Sequence, residues 1–346
     1  MTSISAGEIP AGSFMLGERD LSAKHVVARM TARRALKVLE AEGYLRAERG
    51  QGYRVLSRCN DPTKGCPIAF AQHAQNPTEE WRGMNFLLLN GLQKGAQRHG
   101  WPVLGVGAAG QEPADVVNQC ISARAWGLIA DTYDPDLIRL ASRTGLPVVM
   151  VDSRDPSLQV DVVFQDGFQG GAQAVDHLAE RGHRRIAWFG QVTEGPHAAA
   201  RFGGAYSALL RHGLELPAGL RVDVMKPDAV GELRRLLAGP NRPTAVIALW
   251  QPNAREAHGV IRELGLAGKV ELVGWTPTED YDLAMPRMFP GGPIPAVITW
   301  SIDEMVEMAI ERLIGRRERP EQPPVTVNIR TRLKLPAVDR ADAAGA

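Results

Sequence analysis

Two sets of residues in this sequence could carry chemistry, and they lie far apart in the chain. The first is basic: Arg29, Arg33, Arg34 and Lys37 fall within the stretch Val27 to Tyr44. Read as a helix starting near Met30, that stretch puts Ala32, Ala35, Leu36 and Leu39 on an apolar side and leaves the basic residues to face outward. A helix packed on one face and rich in arginine on the other suits a DNA major groove. A basic run alone is more often a solvated face, so its neighbours must decide. The second set follows a series of short apolar runs: His73, Asp131, Asp152, Asp166, Trp250, Trp275 and Trp300, with Gln165, Gln191 and Gln251 among them. An indole face can stack on the apolar side of a sugar ring while carboxylates and amides bind its hydroxyls.

The elements around the basic helix make a recognisable frame. Leu16 to Lys24 reads as a shorter helix, and the few residues before Arg29 allow only a tight turn, which is helix-turn-helix spacing. Gly43 stops the second helix, Tyr44 to Ala47 begins a strand, and Arg49 to Val55 reads as a glycine turn with a returning strand. Two strands with a basic Gly-x-Gly tip after a helix-turn-helix make a wing. Residues 57 to 66 are polar and turn-forming, as a linker would be.

From Pro67 onward short apolar strands alternate with amphipathic helices, the pattern of parallel sheets covered on both faces. Strands are expected at Ile68 to Phe70, Pro102 to Val106, Gly127 to Ala130, Pro147 to Val151 and Asp161 to Phe164. A second series runs through Ile186 to Phe189, Arg221 to Val224, Ala245 to Ala248 and Glu271 to Val273. Ala296 to Thr299 and Pro324 to Ile329 close the chain. Two series of strand-helix units imply two similar lobes. Ligands of open parallel sheets sit outside the carboxyl ends of the strands, and two lobes would hold one between them. The residues of the second set are those that follow the strands.

Length and charge are consistent with this division. The 346 residues allow two or three domains with substantial cores. The net charge of +1 argues against a chain that coats nucleic acid generally, but residues 1 to 58 hold ten Lys and Arg against six Asp and Glu, a surplus of four that leaves the remainder at −3. Cys59, Cys66 and Cys120 form no metal-ligand set, and thiols rather than a Cys59–Cys66 disulfide are expected in a reducing compartment. No apolar run approaches the roughly 20 residues of a membrane span and no signal peptide is evident, so a cytoplasmic protein is expected.

The amino-terminal residues resemble the GntR-type winged-helix DNA-binding domain. The resemblance rests on Gly12-Ser13, Glu18-Arg19-Asp20-Leu21, Val27 to Leu36, Leu39-Glu40-Ala41-Glu42-Gly43-Tyr44 and Gly50-Gln51-Gly52-Tyr53-Arg54-Val55, and covers nearly all of residues 7 to 56. It implies that Arg19, Arg29, Thr31 and Arg33 meet DNA, with Arg34 on the same helix and Gln51 at the wing tip. Which arginines read guanine and which grip phosphate stays open. Such domains begin with a full helix, for which only Met1 to Ala6 remain; either something else replaces that helix or the start assigned to the chain is late.

A second resemblance lies in Ala174 to Ala187, most specifically Leu178 to Ala187, followed by Arg201-Phe202-Gly203-Gly204-Ala205-Tyr206 and Arg211-His212-Gly213-Leu214. These residues are similar to the effector-binding half of the LacI/GalR regulators, a resemblance that extends more weakly over residues 67 to 336. It implies that Arg201 reaches the ligand, where its guanidinium offers a fork of donors. It implies no site role for His177 and His183. Two departures count against a common monosaccharide: Trp250-Gln251-Pro252-Asn253 replaces the usual Asn-Asp, and Gly274-Trp275-Thr276 lacks the usual third-place carboxylate.

The reading is an α/β chain in which an N-terminal winged helix-turn-helix precedes a two-lobed, periplasmic-binding-protein-like domain with parallel sheets. Its divisions are 1–56, a 57–66 linker, 67–336 and a disordered 337–346 tail. The expected function is ligand-responsive transcription regulation, by a dimer on two-fold operator DNA answering to a small polar effector such as a carbohydrate. No cofactor, metal, membrane or catalytic role is expected. Two alternatives stand beside this: a carrier using the lobes alone, and an enzyme in which two of Asp131, Asp152 and Asp166 hydrolyse a glycoside. Against the enzyme, the sequence lacks a Gly-x-Ser-x-Gly elbow, a Gly-x-x-x-x-Gly-Lys loop and a His-Glu-x-x-His helix.

Overall fold

The protein is described by a computed structural model covering residues 9, 13–41, 44–48, 51–55, 66–72, 79–108, 110–289 and 294–336, without the side chains of 79–82 and 283–284. His73, Gly12, Gly50, Cys59, the amino terminus, nearly all of the linker and the 337–346 tail therefore lie outside the described residues. The described residues fall into two compact units, one within Met1–Val163 and Val306–Val327, the other within Phe164–Met305 and Asn328–Ala346.

The helix-turn-helix consists of α1 (Glu18–His25) and α2 (Arg29–Ala41), and the wing of β1 (Leu45–Glu48) and β2 (Gly52–Val55), paired antiparallel from Leu45↔Val55 to Glu48↔Gly52. Val26 makes the turn with φ 51 and ψ 46, a left-handed conformation that valine rarely takes. The hydrogen bond from the Val27 amide to Ser22 O at 3.1 Å and that from Ser22 Oγ to Val27 O at 2.6 Å close it. The small core holds Leu21, Ala32, Leu36, Tyr44, Leu45 and Val55. Ala35, expected on the apolar side, is exposed: α2 starts at Arg29, and its buried stripe is set by Ala32, Leu36 and the half-buried Leu39. The free edge of β2 is also covered, by Met15 N donating to Tyr53 O at 2.7 Å and Val55 N to Ser13 O at 2.8 Å.

One sheet, in the first unit except for the last two residues of β7 and of β13, contains β3 (Ile68–Gln72), β4 (Val103–Gly107), β5 (Gly127–Asp131), β6 (Val148–Val151), β7 (Asp161–Gln165) and β13 (Thr326–Ile329), ordered β13-β7-β6-β5-β3-β4. The second contains β8 (Ile186–Phe189), β9 (Arg221–Val222), β10 (Ala245–Ala248), β11 (Glu271–Pro277), β12 (Ala296–Trp300) and β14 (Arg332–Lys334), ordered β14-β12-β11-β10-β8-β9. In both, the first strand is flanked by the second and third, so both sheets have the same switch point. The pairs β3–β4, β3–β5, β8–β9 and β8–β10 flanking it are parallel. Two elements have no counterpart in the sequence reading. Strand β14 is only three residues, antiparallel to β12, and the helix Thr278–Met288 contains Pro286 and so lacked a helical signal. Cys66 is disulfide-bonded, contrary to the thiol expected from compartment alone, while Cys120 is free and buried, its thiol pushed up to about 11 by burial.

In the second unit α6 (Gly167–Glu180) and α7 (Gly195–Arg211) approach closely through glycine. A Cβ on Gly171 would stand 2.0 Å from Arg201 O, and one on Gly204 would stand 1.8 Å from Phe168 O. Gly170 faces the Trp275 ring, where a Cβ would come within 2.6 Å. The glycine-rich run 167–171 therefore serves helix packing. Gly204→Ala is expected to destabilise the protein by about 3 kcal/mol or more, the upper part of the overpacking range, because backbone rather than a swinging side chain must yield. Thermal or denaturant unfolding checks this, and an unchanged midpoint would show slack between the helices.

At the amino ends of these strands Glu271 accepts from His177 Nε2 (2.7 Å), His183 Nε2 (2.9 Å) and Arg181 Nε (2.8 Å). Burial alone would raise its carboxyl, but the hydrogen bonds from Arg181, His183 and His177 hold it below the ordinary range. The two histidines thus tie α6 and its following turn to β11.

Candidate functional site

The outer face of α2 carries Arg29, Thr31, Arg33 and Arg34, all exposed, and Arg19 is exposed on α1. Arg29 and Arg33 are not independent. Glu18 Oε2 accepts from Arg29 Nε at 3.2 Å, and Glu18 Oε1 lies 3.6 Å from Arg33 Nε, with both arginine side chains 59% exposed. One carboxylate thus engages each guanidinium on its Nε edge and aligns the pair along the first two turns of α2. The sequence reading passed over Glu18, although an acid among basic residues was a visible signal. Gln51 is exposed at the wing tip, its backbone N–H donating to Glu48 O at 3.0 Å. Arg54 at the wing is bound to Glu48 and lies over the Phe14 ring, 4.4 Å to its centroid.

The carboxyl edge of the first unit's sheet brings Asp131 and Asp152 out of adjacent strands. Both are buried. Asp152 has φ 48, a left-handed conformation uncommon outside glycine, and Ser153 behind it receives the Thr132 amide at 3.2 Å. Burial raises the Asp131 carboxyl well above its ordinary value, and the charge of Asp152 adds to that. Such a group stabilises the fold only while protonated, so its contribution is present at low pH and is lost as pH rises above the ordinary carboxylate range. Asp131→Asn is therefore expected to raise the melting temperature at pH 7 to 8 and to have little effect near pH 4. Equal shifts at both pH values would contradict this.

In the second unit the carboxyl edge converges on Arg201, which α7 carries inward and which is 1% exposed. Its Nη1 donates to Leu249 O at 2.6 Å and its Nη2 to Gln165 Oε1 at 2.7 Å. The guanidinium carbon lies 4.1 Å from the Trp275 ring centroid, 4.6 Å from Trp250 and 5.4 Å from Trp300. Parallel pairing of β11 and β12 sets Trp275 beside Ile298 and Pro277 beside Trp300, so Trp275 and Trp300 project from the face that meets α6 and α7. His197 stacks on Phe164 at 4.3 Å and meets Trp250 edge-on at 5.9 Å. Trp250 Nε1 donates to Gln191 Oε1 at 2.9 Å. The three tryptophans singled out in the sequence thus come together around one arginine, and their near faces hold the protein's own cation. Asp166 instead caps α6, accepting from the Gln169 amide at 2.9 Å.

Among the described residues no group of three or more His, Cys, Asp or Glu could hold a metal ion, and no helix is long and apolar enough to cross a membrane.

Comparison with known proteins matches residues 81–275 to the periplasmic binding proteins and sugar binding domain of LacI family, and residues 2–55 to the bacterial regulatory proteins of the gntR family. The Ribose operon repressor of Escherichia coli (strain K12) is 29% identical over 200 residues, 56% of this chain and 58% of that protein. The HTH-type transcriptional repressor PurR of Escherichia coli O139:H28 is 26% identical over 197 residues, 54% of this chain and 56% of its own. The chain thus spans less than two thirds of these curated relatives. A LacI-family regulatory protein from Chloroflexus aggregans shares the fold with a TM-score of 0.67 at 22% identity, over 78% of this chain and 97% of its own. A transcriptional regulator CelR–cellobiose complex does so with a TM-score of 0.64 at 22% identity, over 89% of each. The sheet order of the two units and the winged helix before them accord with these matches: the chain belongs to the family of periplasmic binding proteins and LacI-type sugar-binding domains, and carries a GntR-type helix-turn-helix ahead of that domain.

Proposed function

We propose that the protein is a ligand-responsive transcription regulator, acting as a repressor in the cytoplasm, in which α2 reads operator DNA and a small polar effector bound at the carboxyl edges of the sheets changes operator affinity. The observation that carries this reading is the pairing, in one chain, of an exposed arginine helix with a LacI-type sheet edge centred on a buried arginine. Arg19, Arg29, Thr31, Arg33, Arg34 and Gln51 are the proposed DNA contacts, and Arg201, Trp250, Trp275 and Trp300 of the second unit the proposed effector contacts; Asp131 and Asp152 stand at the carboxyl edge of the first unit's own sheet. The relatives named as the Ribose operon repressor and the repressor PurR, and the fold neighbour solved with cellobiose, support a repressor with a sugar-like effector. A homodimer on a two-fold site follows from the geometry of helix-turn-helix readers, in which each copy covers one half-site. Control requires that the effector bind one conformation of the protein more tightly than another, since equal affinity shifts nothing.

The test has two parts. A duplex is selected from a random library by the protein itself, and a thermal-shift screen of sugars and sugar derivatives identifies a ligand. The ligand is expected to change duplex affinity at least tenfold. A ligand that binds without changing it would reduce the protein to a carrier. Sedimentation of the protein with the duplex is expected to show two copies per site, and a single copy would exclude the half-site arrangement.

A further inference from the structure

Two of the three indoles around Arg201 share a chemical property that Trp126 of the first unit also has. Trp275 and Trp300 are 1% and 4% exposed, and the Nε1 of each is buried with no hydrogen-bond partner among the described residues. An indole N–H is a donor that cannot accept, and a buried donor without an acceptor is costly, so each of these groups calls for an acceptor from outside the described residues, a water, an ion or a ligand. Both indoles turn their faces to the same guanidinium, at 4.1 and 5.4 Å. The cation fills the ring faces that a sugar would otherwise stack upon. What remains for recognition at this point is the N–H edges, and these ask for an acceptor.

Two features beside the indoles favour an anion, while Glu279 and Asp280 keep their negative charge and are held by neutral donors. Arg201 adds a positive potential in a site from which water is largely excluded. The helix Gln251–Glu263 begins directly after Trp250 with no side-chain cap, so its positive end lies at this edge. The two carboxylates that follow β11 are already engaged: Glu279 accepts from Ser301 Oγ at 2.7 Å and the amides of Ile302 and Asp303 at 3.0 and 3.1 Å, and Asp280 accepts from the Gln251 amide at 3.1 Å.

We propose that the effector is a carboxylate-bearing sugar or hydroxy acid whose carboxylate is received by the indole N–H groups of Trp275 and Trp300 beside Arg201. This rests on the effector-binding reading given above and specifies its ligand class. A carboxylate fits because it accepts only, as these groups donate only.

The test uses the full-length protein with matched probes: D-glucuronate against D-glucose, D-galacturonate against D-galactose, D-gluconate against D-glucitol, and D-glucose 6-phosphate as a different anion. Calorimetry and thermal shift are expected to show at least one acid bound at least tenfold more tightly than its neutral partner. Trp300→Phe and Trp275→Phe keep a ring and remove the N–H, and each is expected to weaken the acid about tenfold while changing the affinity for neutral probes far less. The ratio of acid to neutral affinity discounts any general loss of packing in these variants. A neutral sugar that binds as well as its acid would overturn the carboxylate assignment and leave the effector reading standing, as would preference for the phosphate. Acid affinity unchanged in both phenylalanine variants would show that water serves the indoles and would overturn it equally. Binding of no probe would remove the assignment together with the sugar-effector reading.

Discussion

Arg29→Ala with Arg33→Ala is expected to abolish specific operator binding while leaving thermal unfolding nearly unchanged. Each guanidinium is 59% exposed, so little of the fold depends on it. A well-placed bidentate arginine contributes about 1–3 kcal/mol of base discrimination, and two lost together correspond to about 2–6 kcal/mol, a thirtyfold fall or more. Salt dependence distinguishes the roles. An arginine that grips phosphate lowers the slope of log affinity against log salt by about one when removed, whereas one that reads a base mainly relaxes sequence preference. Fluorescence anisotropy on the selected duplex and on a scrambled one, at several salt concentrations, measures both. Operator affinity that survives the double substitution would move the reading surface away from α2. Glu18→Ala sharpens the result. It removes the carboxylate that engages both Nε groups, so a smaller loss than that of the arginines, recovered in part by Glu18→Gln, would identify Glu18 as a positioning residue.

Arg201→Ala is expected to remove the effector response altogether. The residue is one of the largest fully buried side chains in the protein, set among three indoles with two hydrogen bonds to neutral oxygens. Deleting it forfeits cation–π contacts of up to about 2 kcal/mol each in such a desolvated setting. It also opens a cavity of a kind that usually costs about 2–5 kcal/mol. The melting temperature should therefore fall, and Arg201→Lys serves as the second variant: it keeps the charge among the indoles but not the planar fork. The winged helix has its own small core of Leu21, Ala32, Leu36, Tyr44, Leu45 and Val55, so DNA binding without effector should persist in both. A normal effector response in Arg201→Ala would exclude this arginine from the site.

Much of the architecture was legible in the sequence because it depends on local periodicity. The spacing of Ala32, Leu36 and Leu39 gave the reading helix, alternating strand and helix runs gave two parallel sheets, and strand ends pointed to Trp250, Trp275, Trp300, Asp131 and Asp152. Local signals failed where they were weak, at the three-residue β14 and at the helix containing Pro286, which tertiary pairing and packing hold in place. They also missed a role for Glu18, because its partners Arg29 and Arg33 lie across a turn of the chain.

What the sequence determined by itself is which residue types stand at which strand ends and on which helix face, since a period of two or 3.6 residues follows from backbone geometry alone. Only the tertiary structure decided what those side chains meet. Three tryptophans separated by 25 residues each in sequence become the walls around one arginine because parallel strands β10, β11 and β12 lie side by side, in register, with α6 packed on them and Arg201 reaching in from α7. Asp166 is turned to capping a helix, and Asp131 is driven toward its neutral form by burial and a like charge. Distances between elements, and the desolvation they impose, are set by packing across the whole sheet. No window of sequence contains them.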